Sequence, residues 1–187
     1  GERPAVLVVD FQNAVTSPDA PMGKSELVAA AIPRTAELLD TARRAGAPVI
    51  FCATSFRTDK RDMLPWKIAA MGEWLEGSWE VEVDPRLWRD GDMFVVKKAP
   101  SIFFGTPVAA MLTQHCVDTV ILTGANTSGC IRASTIDSFS HGFRTILPRE
   151  CVADQGEGPH EDNLRDVGIR YADVVETSEV LAYLERF

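Results

Sequence analysis

The chain has 187 residues, 27 acidic against 19 basic for a formal net charge of −8, and no Lys/Arg run longer than a pair, a balance that argues against a nucleic-acid partner. No apolar run of about 18 residues points to a membrane. The four cysteines, Cys52, Cys116, Cys130 and Cys151, lack the C-x-x-C spacing of a zinc site and read as reduced thiols. The length fits one α/β domain, long enough to bury roughly 70% of the surface its unfolded chain exposes. With no charged-then-apolar leader after Gly1, the expectation is a soluble cytoplasmic protein without a membrane anchor.

Ala5-Val-Leu-Val-Val9 is a continuous apolar run, as in a central parallel strand covered on both faces. It ends in Asp10-Phe-Gln-Asn13. A carboxylate just past a buried strand sits where α/β sheets build sites, or equally serves as a helix cap or turn former. Thr16 to Gly23 is a loop. Apolar positions from Ser25 to Ala45 predict a helix closed by Gly46, with Pro33 a kink or restart, and Pro48 to Thr54 is the second strand. From Ser55 to Asp92 the pattern fades, leaving Trp66, Trp74, Trp79 and Trp88 around one weak helical stretch from Pro65 to Met71. A segment of that length within 55–92 is expected to act as a lid over the pocket or as a subunit contact.

Met93 to Lys97 is the third strand, and a helix follows from about Thr106 to Gln114 with Pro107 in its first turn. A lysine at the end of a buried strand needs a carboxylate, for which Asp10 is the natural partner; Lys98 points the other way by alternation. Thr119 to Thr123 is a short β-branched run that stops at Gly124, and after Gly129-Cys130 the residues Ile131, Ala133, Ile136 and Phe139 fall at helical spacing. Cys130 thus stands where a strand ends and a helix begins. There the macrodipole and nearby backbone N–H groups favour a thiolate, and the same amides can hold an oxyanion. The plainer reading of Cys130 is a small buried apolar residue. The flanking Gly124-Ala-Asn-Thr-Ser-Gly129 turn favours chemistry, since it packs little and supplies amides and hydroxyls.

Thr145 to Pro148 is a further strand, followed by a helix from about Pro159 to Tyr171, a short strand from Asp173 to Val175 and a last helix from Ser178. The alternation predicts a doubly wound, Rossmann-like three-layer α/β sandwich with a mostly parallel sheet of about six strands. Asp10, Lys97 and Cys130 all fall at strand carboxyl ends. Such a trio can perform acyl transfer. Cys130 attacks an amide carbonyl, backbone N–H groups near Asn126 and Cys130 hold the oxyanion, ammonia or an amine leaves, and water hydrolyses the thioester. No histidine is required, and His115, His141 and His160 read as structural or exposed.

The segments Leu7-Val-Val-Asp10-Phe-Gln-Asn13, Val95-Val-Lys97-Lys98, Ser101-Ile-Phe-Phe-Gly-Thr106, Val117-Asp-Thr and Thr127-Ser-Gly-Cys-Ile-Arg-Ala133 resemble the isochorismatase-like cysteine hydrolases. The N-carbamoylsarcosine amidohydrolase branch is the nearest, and His141-Gly-Phe-Arg144 and Gly158-Pro-His-Glu-Asp-Asn-Leu164 also point to it. The resemblance covers nearly the whole chain. It implies an Asp-Lys-Cys triad at Asp10, Lys97 and Cys130, a cis peptide before Asn126 and an oxyanion hole from the Asn126 and Cys130 amides. It also implies a homodimer or homotetramer with sites near the interfaces. Ser55-Phe-Arg-Thr-Asp-Lys60 lacks the histidine of metal-binding nicotinamidases, so neither metal nor other cofactor is expected. The presence of Cys130 argues against vinyl-ether cleavage of isochorismate.

Gln155 stands where that branch carries an arginine that holds a substrate carboxylate, and Asn126 where a small Thr or Ser is more usual. Both are neutral and suit a ureido or amide group. The expected substrate is therefore a small linear amide or N-carbamoyl compound, with biuret-like and maleamate-like molecules as alternatives. Gln12, Arg57, Trp66, Phe104 and Gln155 are the expected substrate-binding positions, with Arg132 a weaker one that equally pairs with an acidic neighbour. A non-catalytic binding or assembly subunit on the same fold is the alternative function, and an inert member would be expected to have lost one of the three residues.

Overall fold

Three strands form the centre of a parallel sheet: β1 (Pro4–Val9), β2 (Val49–Thr54) and β4 (Thr119–Ala125) are buried along their whole length in the computed structural model, which describes residues Gly1–Phe187. With β3 (Met93–Lys97), β5 (Arg144–Pro148), β6 (Val152–Ala153) and β7 (Asp173–Val175) the sheet has seven strands, in the order β3-β2-β1-β4-β5-β7, and β6 pairs with the end of β4. The sequence predicts about six. The additional strand is β6, two residues whose partners are Gly124 and Ala125, too short to show any periodicity.

Alternation along the strands divides the core in two. Val6, Val8 and Phe51 pack with Ile32, Leu38 and Leu39 of α2 (Glu26–Arg44) and with Val180 and Leu184 of α6 (Thr177–Leu184). On the opposite face Leu7, Val9, Ile50 and Leu122 meet Leu112 of α3 (Val108–Gln114) and Leu164 of α5 (Glu157–Arg170). Helices on both faces make the three layers. Ser25 caps α2 by accepting from the Val28 N–H, and the helix runs unbroken through Pro33. Pro33 and Ala29, whose carbonyl loses its usual partner, are both exposed, so water can take that bond.

Two backbone positions shape the rim. Gly124 has φ +123°, and a Cβ there would lie 2.0 Å from the Val9 carbonyl oxygen, so only glycine lets β4 pass the end of β1. Asp10 adopts φ 55°, a left-handed conformation that Asp tolerates better than most residues.

Segment 55–92 holds no strand, and one 3₁₀ turn, Ala69–Glu73, stands where the sequence suggests a helical stretch at 65–71. It is tied to the exit of β1. Asn13, at the head of the short α1 (Asn13–Thr16), donates its N–H to Glu82, and Asp84 donates to Phe11. Trp88 packs edge-on against Phe51 and Phe94. No helix is long and apolar enough to cross a membrane.

Candidate active site

Asp10 follows β1 directly, Lys97 ends β3, and the pairing of Thr54 with Lys97 and of Val9 with Cys52 lays the end of β2 between them. Asp10 is 3% exposed and Lys97 1%. A buried ammonium is stable only when paired, and Lys97 Nζ lies 2.7 Å from Asp10 Oδ2. It also donates to Thr54 Oγ1 at 2.7 Å, to the Ala99 carbonyl at 3.1 Å and to Cys130 Sγ at 3.3 Å. Thr54 Oγ1 is in turn 3.1 Å from Asp10 Oδ1, and the Cys52 thiol is 3.8 Å from the same oxygen.

Cys130 sits in a wide, π-type turn, Thr127–Ile131, that leads into α4 (Arg132–Ser140). The Gly129 and Ile131 N–H groups both donate to the Asn126 carbonyl, and the Asn126 N–H has no acceptor within the protein. The Ala125–Asn126 peptide is cis, in agreement with the resemblance. Asp154 holds the start of the turn, with Oδ2 accepting from the Ser128 N–H at 2.6 Å and Oδ1 from the Gln155 N–H at 2.8 Å. Thr127 Oγ1 is 2.8 Å from Nδ1 of buried His160, whose pKa burial lowers, so the ring is neutral near pH 7.

The thiol differs from the sequence expectation. Burial and then the Asp10 carboxylate push Cys130 up to about 12, against a downward pull from Lys97. Cys130 therefore rests as a thiol. Two influences act against the helix N-terminus: the Asp154 carboxylate occupies the Ser128 N–H there, and burial and the Asp10 carboxylate favour the neutral thiol. Burial pulls Lys97 down, but the charge of Asp10 and its contact with the ammonium more than offset it and hold Lys97 above its usual range. A thiol, a carboxylate and an ammonium in contact can exchange a proton without any other group.

Asp10 and Cys130 border a cavity of about 90 Å³, in which they and Asn126 meet an apolar wall of Val15, Trp66, Met71 and Trp74. No arginine, lysine or histidine lines it. A larger open groove of about 520 Å³ beside β3, lined by Trp88, Phe94 and Val96, contains none of Asp10, Lys97 and Cys130 and is not this site.

The other expected residues separate. Trp66 lines the cavity, and its indole Nε1 is buried without a partner. Gln155 is exposed and donates to Asn126 Oδ1 at 3.3 Å, beside the cavity. Gln12 does not reach it. Its side chain accepts from the Thr54 N–H and donates to the Thr54 and Glu80 carbonyls, clamping β2 to segment 55–92. Arg57 is pointed at solvent and paired with Asp59 two residues on, at 3.0 Å. Phe104 is 68% exposed, because its neighbour Phe103 takes the inward position and stacks on His141 and Phe143. Lys98 does point away, to Asp62 at 2.8 Å, and Arg132 pairs with Asp166 at 3.2 Å. Sequence reasoning missed Cys52, Thr54, Asp154 and His160. None of the four carried a signal in the sequence that marked it as part of the site.

Residues 4–179 match the isochorismatase domain. The chain is 38% identical over 191 residues to the maleamate amidohydrolase of Pseudomonas putida, covering 98% of this chain and 88% of that protein. It is 33% identical over 192 residues to the N-carbamoylsarcosine amidase of an Arthrobacter species, covering 99% and 72%. The crystal structure of an isochorismatase family protein from Desulfovibrio vulgaris superposes with a TM-score of 0.90 at 25% identity over the full length of both chains. The Asp10–Lys97–Cys130 cluster at the strand ends thus lies within a domain match that spans nearly the whole sequence, and the chain belongs to the isochorismatase family.

Proposed function

We propose that this chain is a cysteine amidohydrolase that cleaves the C–N bond of a small linear amide or ureido compound through a thioester and releases ammonia. The observation that carries the reading is the unbroken contact from Cys130 Sγ to Lys97 Nζ at 3.3 Å and on to Asp10 Oδ2 at 2.7 Å, beside a 90 Å³ cavity. Sγ attacks the carbonyl carbon as its proton passes to Asp10, and Lys97 stabilises the sulfur charge. The Asn126 and Cys130 backbone N–H groups hold the oxyanion. When the tetrahedral intermediate collapses the C–N bond breaks, and Asp10 gives its proton to the departing nitrogen. Water then attacks the thioester, Asp10 takes one proton from it, and that proton returns to sulfur as the acid product leaves. Every proton has a donor and an acceptor on the chain, so no cofactor is called for.

The small cavity and its lack of cations support a compact primary amide. The Gln155–Asn126 side-chain pair offers neutral donors and acceptors to a second amide, ureido or carboxyl end. The activities named for the two relatives, on maleamate and on N-carbamoylsarcosine, fit that description. Four free thiols favour a reducing compartment, the cytoplasm. A homodimer or homotetramer is supported by Phe94 and Val96, exposed beside the open groove.

The test is ammonia release from N-carbamoylsarcosine, biuret, maleamate, nicotinamide and simple N-carbamoyl amino acids, with Cys130→Ala in parallel. The expected result is turnover of at least one compound, reduced on the order of 10⁴-fold or more by the substitution. Turnover that survives Cys130→Ala, or silence across the panel with Cys130 inert to alkylation, overturns the reading.

A further inference from the structure

We infer that Thr54 is a positioning residue of this site: its hydroxyl pins Oδ1 of Asp10 and steadies Lys97, leaving Oδ2 as the oxygen that carries the proton of Cys130. The inference rests on the hydrolase reading above and extends it to a residue outside the triad.

The direction of each hydrogen bond follows from chemistry alone. An ammonium only donates, so Thr54 Oγ1 accepts from Lys97 at 2.7 Å, and its single hydrogen is left for Asp10 Oδ1 at 3.1 Å. Oδ1 also has the Cys52 thiol at 3.8 Å, whereas Oδ2 has Lys97 at 2.7 Å. The charged and titratable groups facing Asp10 are thus Cys52 from β2, Lys97 from β3 and Cys130 from the turn after β4.

Lys97 itself is oversubscribed. Four acceptors, Asp10 Oδ2, Thr54 Oγ1, the Ala99 carbonyl and Cys130 Sγ, compete for three hydrogens. While Cys130 is a thiol, its sulfur is the weakest of the four acceptors. Once the proton has moved to Oδ2, the carboxyl is neutral and the sulfur anionic, and the hydrogen bond that Lys97 already makes to Sγ strengthens. Thr54 and Ala99 hold the other two hydrogens during that exchange, so the ammonium keeps its place.

The experiment compares Thr54→Val, nearly isosteric but without the hydroxyl, with Thr54→Ser, which keeps it. Two readouts are followed against pH: kcat and KM for a turned-over amide, and the rate at which iodoacetamide alkylates Cys130. Thr54→Val should lower kcat about 100-fold with little change in KM, and change the rate at which Cys130 is alkylated at a given pH, because the carboxylate that takes the thiol's proton loses a donor. Thr54→Ser should recover most of the loss, and Thr54→Ala replaces Thr54→Val if the latter does not fold. A Thr54→Val profile that matches the wild type, or a Thr54→Ser enzyme as impaired as Thr54→Val, overturns the inference. The hydrolase reading fails separately, through Cys130→Ala. Were it to fail, the alkylation profile of Thr54→Val would still decide whether the hydroxyl governs the thiol's proton.

Discussion

Acid–base pairs hold together both the strand-end rim and segment 55–92, yet the two regions use them in opposite ways. In the segment Asp62, Asp84 and Asp92 are each matched to donors of their own. Asp84, 2% exposed, accepts from the Arg86 backbone N–H and from Nε and Nη2, while Asp92 takes Nε and Nη2 of Arg43. Asp62 takes the Arg57 N–H and pairs with Lys98. Those bonds fix turns where no strand or helix does. At the rim the ammonium has more acceptors than hydrogens and the thiol shares the carboxylate. Matched pairs make architecture, and an unmatched one leaves a proton with somewhere to go.

The difference can be broken hardest at Asp10. Asp10→Asn should reduce amide turnover on the order of 10³-fold, since no group is left to take and return the proton. The same substitution should speed alkylation of Cys130 at neutral pH, because the Asp10 charge is among the influences that hold the thiol up and Lys97 remains to pull it down. Unchanged alkylation would show that carboxylate and thiol are not coupled. Asp84→Asn should do the reverse, costing about 1–2 kcal/mol in urea denaturation with kcat nearly unchanged. Burial pushes Asp84 up, but hydrogen bonds from Arg86 win and hold it below the usual carboxylate range. A depressed carboxyl stabilises fully above the unfolded value of about 4 and loses that stabilisation as pH falls through the folded one. The gap between wild type and Asp84→Asn should therefore narrow below about pH 4. Arg57→Ala should have the smallest effect, leaving turnover within about twofold, since an exposed ion pair contributes little. A larger loss would return Arg57 to the site.

Much of this was legible in the sequence, for a physical reason. The central strands are buried on both faces and so appear as unbroken apolar runs, and a polar residue at the end of a strand stands out, as Asp10 does after β1 and Lys97 does in β3. What could not be read depends on other parts of the chain. Thr54 is an ordinary ending for a β-branched strand, and only its register with Lys97 and its reach to Asp10 give it a partner on either side. Phe104 and Arg57 are plausible pocket residues by type, but direction decides, and Phe103 and Asp59 settle it locally. The state of Cys130 follows from burial and from Asp10, not from the turn that carries it.

Gly124 has a consequence for the site as well as for the chain path. Its partner across the sheet is Val9, the residue before Asp10, and two positions after Gly124 begins the loop that delivers Cys130. A single methyl group at 124 would collide with the Val9 backbone and wedge these two strand ends apart. The spacing of Asp10 and Cys130 is gauged by an atom that is missing, since a side chain at 124 would push apart the two strand ends that bring them together.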